Sequence, residues 1–547
     1  MLAAMWPASL PLSPPADPSE HRLHILLPLP FDTAFDYISD SPLAPGTLVH
    51  VPFGAQTRVG VVWNGRGGDR PVDAAKLKPV IQVLELPPLT DELRRLVDRT
   101  ADYTLAPAGS VLRMVLSCPA ALGPPPTRSY VVRAGAAPAR LTAARRRVLD
   151  IVADGLPRTA ADLAAAARVT AGVVRALVAA GTLATVDLPR DPALPAPDPD
   201  APGPALSGEQ AAAVETIRAR QDSGGFETFL LEGVTGSGKT EVYFEAIARA
   251  LHQPDAQVVV LVPEISLTVQ WLGRFEARFG CRPVEWHSGL SQSLRRQWWR
   301  AVVEGEARVV VGARSALYLP FRSLRLVIVD EEHDPSFKQE DGVLYNARDM
   351  AVLRASLADC PIVLASATPS LESRVNARQG RYRPLHLVER HGIAELPAIQ
   401  AIDMRHAGPD PGQWLAPALV AALDASLTAG DQSLLFLNRR GYAPLTLCRK
   451  CGARYECPDC TAWLVEHRYR GQLICHHCGF SMPTPKACFA CGESDQIVAC
   501  GPGVERLGEE VTARWPDARV QVLASDTLGG PAEARAAIER IEAGKTD

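Results

Sequence analysis

The chain begins with short apolar runs and changes near Arg140 to longer segments with helical spacing. Short alternating or continuous apolar runs bounded by Gly or Pro predict β-strands, whereas apolar residues at i, i+3, i+4 and i+7 predict helices. Residues 21–118 are therefore predicted to form a small β-rich domain. Its predicted strands and helix are 23–29, 47–52, 58–63 and 91–104.

Residues 138–190 show the spacing of several short helices. Three helices and one strand in so short a stretch are typical of a winged-helix unit, a relative of the helix-turn-helix modules that bind DNA. The stretch is rich in Ala, so a plain helical spacer is the alternative. The predicted elements are helices at 143–152, 160–167 and 171–180 and a strand at 183–186. Residues 191–205 follow as a Pro-rich linker that cannot build a core.

From residue 206 onwards, short apolar runs alternate with helical stretches, which is typical of a parallel sheet covered by helices. We assign 206–395 to a first α/β lobe and 396–547 to a second. The second lobe opens with a predicted strand at 433–437, is interrupted by a Cys-rich insertion at 447–493 and ends without a closing strand. The predicted strands of the first lobe are 229–231, 258–261, 308–311, 326–329 and 362–365.

Composition narrows the class of protein only a little. At roughly 150 residues per domain, 547 residues predict three or four domains. The net charge is −4, so any DNA-binding face has to be local. No apolar run is long enough to span a membrane, and we expect a cytoplasmic, nucleoid-associated protein. Residues 1–20 are Pro-rich and lack the basic segment of a secretory signal; we predict a disordered tail, or a start codon placed before Met5.

Eight of the twelve cysteines form four C-x-x-C pairs between Cys448 and Cys491. Thiols stay reduced in the cytoplasm, and two such pairs complete a tetrahedral S₄ site that suits Zn²⁺. Two zinc ions are therefore expected, with disulfides or an iron–sulfur cluster as alternatives, and spacing alone leaves the pairing open. His476 and His477 are spare candidate ligands that we expect to be solvated. The other cysteines are predicted to be small buried residues: Cys118, Cys281, Cys360 and Cys500.

A glycine-rich segment after the strand at 229–231 matches the phosphate-binding pattern G-x-x-x-x-G-K-[ST] and opens a helix. Its glycines let backbone N–H groups surround phosphates, the lysine reaches the β- and γ-phosphates, and the last hydroxyl takes Mg²⁺. A chance Gly-rich turn is the alternative. The residues predicted to bind ATP here are Gly233, Val234, Thr235, Gly236, Ser237, Gly238, Lys239 and Thr240.

A second apolar strand ends in acidic residues at 330–332. Asp330 is placed to hold Mg²⁺ through water, and Glu331 to orient the attacking water, because ligands bind at the C-terminal ends of parallel strands. Lys239, Asp330 and Glu331 are the predicted catalytic residues, with a solvated turn as the alternative for the acids. Upstream, Gln210 is predicted to read the adenine edge.

Three loops at the ends of strands narrow the predicted ATP-binding protein to one class of enzyme. The segments 262–268 and 312–316 offer hydroxyls and an Arg to a sugar-phosphate backbone. The segment 366–368 follows the next strand and can couple the nucleotide state to movement of the lobes. In this order, they resemble superfamily 2 helicases and, more closely, the PriA family of replication-restart helicases. The matching segments are LVPEISLT (261–268), WHSGLS (286–291), VGARSALYLPF (311–321), VDEEHD (329–334), SATPSLES (366–373) and FLNRRGYAP (436–444).

The resemblance implies a fold and a function. The fold class is multidomain α/β: two RecA-like P-loop helicase lobes, the second incomplete and carrying a zinc-binding insertion, preceded by a β-rich DNA-end-binding domain and a winged helix. The function is ATP-dependent 3′→5′ unwinding of DNA at stalled or abandoned forks, followed by primosome assembly. The implied partners are forked and single-stranded DNA, single-stranded-DNA-binding protein and other primosome proteins; we expect a monomer. A non-enzymatic fork-binding loader and a general repair helicase are the alternatives.

The same resemblance supplies candidate residues for DNA and zinc. The first domain resembles a module that captures the 3′ end of the nascent strand, and a loop after the acidic strand resembles one that senses DNA, although Leu344 and Asn346 depart from the family's usual Arg and His. The implied DNA contacts are Phe35, Asp36, Tyr37, Gly54, Lys78, Arg314, Phe337, Tyr345 and Arg348. Core aromatics and a turn in the first domain, and aromatic packing within the loop, are the alternatives. The implied zinc ligands are Cys448, Cys451, Cys488 and Cys491 for one ion and Cys457, Cys460, Cys475 and Cys478 for the other.

The resemblance also implies more second lobe than the sequence contains. The segment that supplies an arginine finger in the family lies beyond Arg506, and Arg439 and Arg440 lie too early in the lobe to replace it. Such a finger contributes about 10³–10⁵ in rate in related enzymes. We therefore expect a C-terminally truncated chain that binds ATP and DNA but hydrolyses ATP weakly.

Overall fold

The structure, a computed structural model, consists of two compact units, one ending at Ala394 and the other beginning at Glu395. It describes residues 21–547 except for some short stretches. Those stretches are 69–71, 74–75, 125–126, 139, 155–156, 190–193, 264–268, 390–396, 405, 411–412, 438–444, 449, 468–470, 476, 495–496, 501–503 and 525–530. The predicted tail at 1–20, His476, Arg439 and Arg440 therefore lie outside the described residues.

The N-terminal domain is built on six short strands. They are β1 (Arg22–Leu26), β2 (Phe35–Ile38), β3 (Leu48–Phe53), β4 (Gln56–Val62), β5 (Lys78–Pro79) and β6 (Gln82–Val83). Their order is β5-β2-β1-β4-β3-β6, with only the β2–β5 pair parallel. Between β5 and β6, the Val80 N–H donates to Ile38 O and the Ile81 N–H to His50 O. These bonds reach both edges of the sheet, so β1–β6 close into a small barrel.

Two helices cover the barrel, α1 (Asp91–Thr104) and α2 (Ala108–Val115). The bounds predicted for α1 are confirmed: its apolar face is buried, and the Thr90 side chain caps it by accepting the Leu93 N–H at 3.3 Å. Helix α2 was not predicted. Gly109 allows α2 to lie against the main chain at Leu29, because a Cβ on residue 109 would be 2.0 Å from the Leu29 carbonyl oxygen.

Residues 127–189 form a three-helix unit with a two-stranded sheet. Its elements are β7 (Thr127–Arg133), α3 (Ala143–Ile151), α4 (Ala160–Ala166), α5 (Ala171–Ala179) and β8 (Leu183–Pro189). The three predicted helices are confirmed to within one residue. Strand β7, which was not predicted, pairs with β8 antiparallel along its whole length, so the unit includes residues before the predicted boundary at 138.

The first lobe is a seven-stranded parallel sheet in the order β11-β12-β10-β13-β14-β9-β15. Its strands are β9 (Thr228–Gly233), β10 (Gln257–Leu261), β11 (Val284–Trp286), β12 (Val309–Gly312), β13 (Leu324–Asp330), β14 (Ile362–Ser366) and β15 (Arg383–Leu387). Its helices are α6 (Gly208–Ser223), α7 (Lys239–Leu251), α8 (Val269–Phe279), α9 (Gln292–Glu304), α10 (Ala347–Leu357) and α11 (Leu371–Arg378). Every residue of β10, β12 and β14 is buried, as expected for strands covered on both faces. The five predicted strands are confirmed, and the edge strands β11 and β15 were missed.

The N-terminal domain and the first lobe share one hydrophobic core. A single cluster of buried side chains runs from α1 and α2 into the helices and strands of the lobe. Polar contacts cross the same boundary: the Trp299 indole N–H donates to Val115 O at 3.0 Å, and Thr100 Oγ1 lies 3.1 Å from the Tyr318 hydroxyl. The buried Arg354 guanidinium lies 2.7 Å from the Glu92 carboxylate. The two domains therefore behave as one packed body.

The second unit holds helices and two small antiparallel sheets. Its elements are α12 (Pro417–Ala429), β16 (Leu445–Cys448), β17 (Val465–His467), β18 (Gln472–Ile474), β19 (Ser481–Pro483), β20 (Ile497–Cys500), α13 (Val504–Arg514) and α14 (Pro531–Glu542). The strand predicted at 433–437 is wrong: Leu434 and Phe436 are exposed, and no partner strand adjoins this segment in the described part of the unit. An extended apolar run cannot bury both of its faces without neighbouring strands.

Two predictions for the chain as a whole concern its isolated cysteines and its apolar segments. Cys118, Cys281 and Cys360 are buried as predicted, whereas the side chain of Cys500 lies outside the part of the chain that the structure describes. Among the described helices, none combines the length and the apolar character needed to cross a bilayer.

Candidate functional site

The glycine-rich loop between β9 and α7 has the conformation of a phosphate cradle. Gly236 and Gly238 have φ values of 83° and 80°, a region that residues with a Cβ rarely adopt. A Cβ on Gly238 would also lie 2.2 Å from Gln210 Nε2. The loop therefore requires glycine at these positions, and it directs the N-terminus of α7 towards a cavity at the C-terminal edge of the sheet.

That cavity has a volume of about 360 Å³ and is open on one side. Lys239, Thr240, Asp330 and Glu331 line it together, as the sequence predicts. The Lys239 ammonium donates to Gly233 O at 2.9 Å, so the lysine side chain lies against the loop. In the nucleotide complex, phosphate oxygens would replace this carbonyl as its acceptor. The lining residues are Pro204, Ala205, Gln210, Thr235, Gly236, Gly238, Lys239, Thr240, Glu241, Arg274, Asp330 and Glu331. Glu241 and Arg274, which form an ion pair at the cavity wall, were missed by the sequence analysis.

The two acids at the end of β13 differ in environment. Burial raises the pKa of Asp330 to about 6, although a hydrogen bond from the Tyr243 hydroxyl acts in the opposite direction. Glu331 is half-exposed and has a left-handed backbone, with φ at 50°, which is uncommon for a residue other than glycine. A buried carboxylate beside a phosphate cradle fits a divalent cation, and the exposed one is accessible to water.

Gln210 does not have the predicted adenine-binding arrangement. Its side-chain oxygen accepts the Ser207 N–H at 2.9 Å, and its side-chain nitrogen donates to Ser237 O at 2.8 Å. The residue is buried and forms a capping box with Ser207 at the start of α6. Gln210 therefore braces the phosphate loop, and contact with a base would require it to leave both partners.

Glu332, the third acid of the acidic strand end, is the centre of a buried network. Its carboxylate accepts the Ser370 N–H at 2.6 Å, the Ser373 hydroxyl at 2.9 Å and the Arg348 guanidinium at 3.2 Å. Beside it, His333 Nδ1 lies 2.8 Å from Ser366 Oγ. These contacts join the end of β13 to the segment after β14 and to α10, which is a physical basis for the coupling role predicted for 366–368.

The predicted DNA contacts after β13 face inwards. Phe337, Tyr345 and Arg348 are buried, Tyr345 lies edge-on to Tyr318, and Arg348 is paired with Glu332. These side chains cannot stack on a base or reach a phosphate as placed, because packing and ion pairing already use them. In this structure they form a scaffold that holds the loop, and their contact with DNA stays a prediction.

Arg314 belongs to the same scaffold, since it donates to the carbonyl oxygens of Ser336 and Lys338 at 2.9 and 3.0 Å. Lys338, Glu340 and Leu344 are among the exposed side chains of the loop. Leu344 was noted from the sequence only as a departure from the family's usual Arg, and no role was predicted for Lys338.

The predicted 3′-end residues lie on neighbouring strands of the barrel, with the Asp36 side chain on the opposite face of β2 from Phe35 and Tyr37. Asp36 lies on β2, Gly54 turns the β3–β4 hairpin with φ at 62°, and Lys78 is exposed on β5 beside Tyr37. Phe35 is half-buried against Phe53, with ring centroids 5.2 Å apart. Tyr37, in contrast, is a core residue whose hydroxyl donates to Pro52 O at 3.1 Å, so it shapes the pocket and cannot stack on a base.

Asp36 is held as a carboxylate by two neighbours. Arg22 lies 2.7 Å from one of its oxygens and His24 Nδ1 2.8 Å from the other. Burial alone would raise the pKa of Asp36, but the hydrogen bond and charge of Arg22, together with the neighbouring His24, lower it below the usual value. The group is therefore a fixed, ionised acceptor, and neither Arg22 nor His24 was identified from the sequence.

The eight clustered cysteines form two separate sets. Cys448, Cys451, Cys488 and Cys491 make up one, and Cys457, Cys460, Cys475 and Cys478 the other; within each set all sulfurs lie within 4.8 Å. The interleaved pairing implied by the resemblance is therefore the observed one. The closest sulfurs are 3.4–3.7 Å apart, near the spacing of about 3.8 Å expected for four thiolates 2.3 Å from one zinc ion. His477 is exposed and is not needed as a ligand.

All four C-x-x-C turns share one hydrogen bond. The N–H after each second cysteine donates to the carbonyl oxygen of the first, at 2.8–3.0 Å. The residue that donates has a positive φ in every case, and it is glycine except at Thr461. The donors are Gly452, Thr461, Gly479 and Gly492. This repeated turn places both sulfurs of a pair on one side, as tetrahedral metal ligation requires.

The thiols of the second set cannot all ionise unaided. Backbone N–H groups of Cys478 and His477 lower the pKa of Cys475 to about 6. The Phe480 N–H acts in the same direction on Cys478, but the neighbouring Cys457 and Cys475 raise the pKa of Cys478 to about 12. A divalent cation among the sulfurs would remove this conflict, so the donor set fits zinc.

Comparisons with known proteins agree with this geometry. Residues 24–117 match a family model described as a 3′DNA-binding domain, and 457–483 match one described as the PriA DNA helicase Cys-rich region domain. Residues 207–376 match the DEAD/DEAH box helicase model. The replication restart protein PriA of Haemophilus influenzae is 33% identical over 544 residues, covering 96% of this chain and 73% of that protein. The chain belongs to the PriA family. Its cysteine sets and its ATP cradle are therefore those of a helicase family with a zinc-binding region.

Other PriA relatives match over a shorter length. The protein of Rickettsia felis is 41% identical over 339 residues, which is 62% of this chain and 51% of that protein. The chain thus spans about half the length of such relatives. The solved structure of RecG bound to a three-way DNA junction is 22% identical and covers 36% of this chain and 25% of its own, with a TM-score of 0.28. That likeness adds nothing to the PriA family assignment.

Proposed function

We propose that this protein is an ATP-dependent 3′→5′ DNA helicase that recognises stalled or abandoned replication forks and initiates restart by primosome assembly. One observation carries the proposal: an ATP cradle and a barrel that carries the ionised Asp36 are parts of one packed body. The proposed partners are forked and single-stranded DNA, single-stranded-DNA-binding protein and other primosome proteins, with the protein acting as a monomer.

ATP and Mg²⁺ fit the described residues. The glycine loop offers N–H groups, Lys239 offers a positive charge, and Thr240 and Asp330 offer oxygens to a cation. When bound, Mg²⁺ neutralises phosphate charge. The described lining residues supply contacts to phosphate and to a cation, so we expect firm nucleotide binding; weak hydrolysis by this chain is part of the same proposal.

Replacing Lys239 with alanine is expected to weaken ATP binding about tenfold to a hundredfold, because a charge-assisted contact to phosphate is lost. The measurement is titration of a fluorescent ATP analogue in the presence of Mg²⁺. Lys338→Ala is the matched control, since Lys338 is an exposed lysine of the same lobe outside the cavity. Equal affinities of Lys239→Ala and the wild type would refute the ATP cradle.

Replacing Asp36 with asparagine is expected to reduce the preference for forks with a free 3′-hydroxyl at the junction about threefold to tenfold, because an ionised acceptor becomes neutral. Binding to forks with and without that 3′ end gives the preference directly. Asp98→Asn is the control, because Asp98 pairs with Arg66 in the same domain but outside the pocket. The end-binding role fails if the two variants have the same preference.

A further inference from the structure

Tyr243, on the helix that follows the phosphate loop, contacts both side chains that the proposed function assigns to Mg²⁺. Its hydroxyl oxygen lies 2.8 Å from Asp330 Oδ2 and 3.4 Å from Thr240 Oγ1. Helix α7 carries Thr240 and Tyr243 one turn apart, and β13 delivers Asp330 to the same point. One hydroxyl therefore joins the two halves of the expected cation site.

The direction of these hydrogen bonds is fixed by a third residue. The Trp271 indole N–H lies 2.8 Å from the Tyr243 oxygen, and an indole N–H can only donate. The Tyr243 oxygen must therefore accept from Trp271, so its single proton is free to be donated elsewhere. The shorter contact, to Asp330, takes that proton, and the Thr240 hydroxyl keeps its own lone pairs for a cation.

The position of the Tyr243 hydroxyl is set by packing. The residue is fully buried, its ring lies edge-on to Phe244 at 5.4 Å, and Phe244 in turn lies edge-on to Trp271 at 5.6 Å. The second Asp330 oxygen accepts the Glu331 N–H at 3.1 Å, which fixes the carboxylate plane.

We propose that Tyr243 is a positioning residue for the nucleotide-bound Mg²⁺: its hydroxyl holds Asp330 at a set distance and orientation from Thr240, with Trp271 directing the proton. The proposal rests on the proposed ATP-binding function and deepens it. Tyr243 does not contact the reacting phosphate. Its effect is confined to the part of nucleotide affinity that Mg²⁺ contributes, and the contacts of Lys239 and the loop with phosphate do not depend on it.

The test compares the affinity of the full chain for a fluorescent ATP analogue in excess Mg²⁺ and in EDTA. Tyr243→Phe keeps the ring and removes only the hydroxyl. We expect it to weaken binding about threefold to tenfold in Mg²⁺ and to leave the affinity in EDTA unchanged. Tyr318→Phe is the matched control, because it also removes a buried hydroxyl with a partner, Thr100, but away from the cavity. It should match the wild type in both buffers.

Each other outcome is decisive. Equal losses in Mg²⁺ and EDTA would show that Tyr243 supports the phosphate loop as a whole, and no loss would show that Asp330 needs no such support; either result overturns the proposal. If Tyr243→Phe does not fold, Trp271→Phe must show a smaller loss of the same kind. A wild-type chain that binds no nucleotide in either buffer would refute the proposed function, and this proposal with it.

Discussion

Replacing Arg354 with alanine is expected to lower the free energy of unfolding of the first unit by about 3–5 kcal/mol. The Arg354 side chain is fully buried, with its guanidinium over the Phe321 ring and 2.7 Å from the Glu92 carboxylate. It also donates to the carbonyl oxygen of Leu317. The alanine variant would leave the partly buried Glu92 carboxylate and the buried Leu317 carbonyl without their cationic partner. Removing one partner of a buried ion pair destabilises a protein more than replacing both partners.

The measurement is denaturant unfolding followed by tryptophan fluorescence, since Trp299 lies at the same boundary. Arg383→Ala is the control, because its ion pair with Glu227 is exposed and 3.8 Å long, and it should change stability by less than about 1 kcal/mol. The double variant Glu92→Gln with Arg354→Met should recover much of the loss. If Arg354→Ala and Arg383→Ala unfold alike, the buried pair does not hold the two domains together.

Removing zinc is expected to unfold the Cys-rich region, because this region has almost no other core. Its buried cluster consists of five residues, two of them cysteine ligands. They are Tyr455, Cys457, Leu464, Leu473 and Cys475. Structural zinc contributes about 10–16 kcal/mol in small domains of this kind, far more than so few apolar side chains supply. The first unit has its own large core and should stay folded under the same chelator.

Elemental analysis should give two zinc ions per chain, falling to one in Cys475→Ser and to one in Cys488→Ser, each variant losing a different ion. Cys281→Ser is the control, because Cys281 is buried outside both sets and should leave both ions in place. Protease sensitivity of the second unit should rise with each loss of zinc. Iron in the preparation, or two ions retained in both ligand variants, would contradict the assignment.

Elements that are buried on both sides were predictable from the sequence. Strands β10, β13 and β14 form continuous apolar runs because helices cover both faces of the sheet. Strand β2 escaped notice because it has only four residues, and β7 because its only partner, β8, lies fifty residues further along the chain. A short strand is defined by its partner, and the partner is not visible in a local pattern.

The functional sites were also predictable only where their residues lie close together in the sequence. The phosphate loop was predictable because its chemistry requires a contiguous run of residues, and the cysteine pairs because each turn needs fixed spacing. The partner of Arg348 was not predicted because a charged residue in a loop is usually solvated, and only the fold reveals Glu332 beside it. Tyr243 and Trp271 were missed since their contacts link distant parts of the chain; the one local sign was the spacing of Tyr243 from Thr240.

The continuous packing between the barrel and the ATP-binding sheet has a mechanical consequence. Helices α1 and α10 are held together by Arg354 and by the apolar side chains around it, so the barrel that carries Asp36 and the floor of the nucleotide cavity belong to one packed body. If the proposed function holds, a DNA end bound by the barrel moves with the first lobe as one rigid body whenever ATP binding shifts that lobe. A fragment cut between the barrel and the lobe would expose Trp299 and its neighbours to water and would be expected to aggregate.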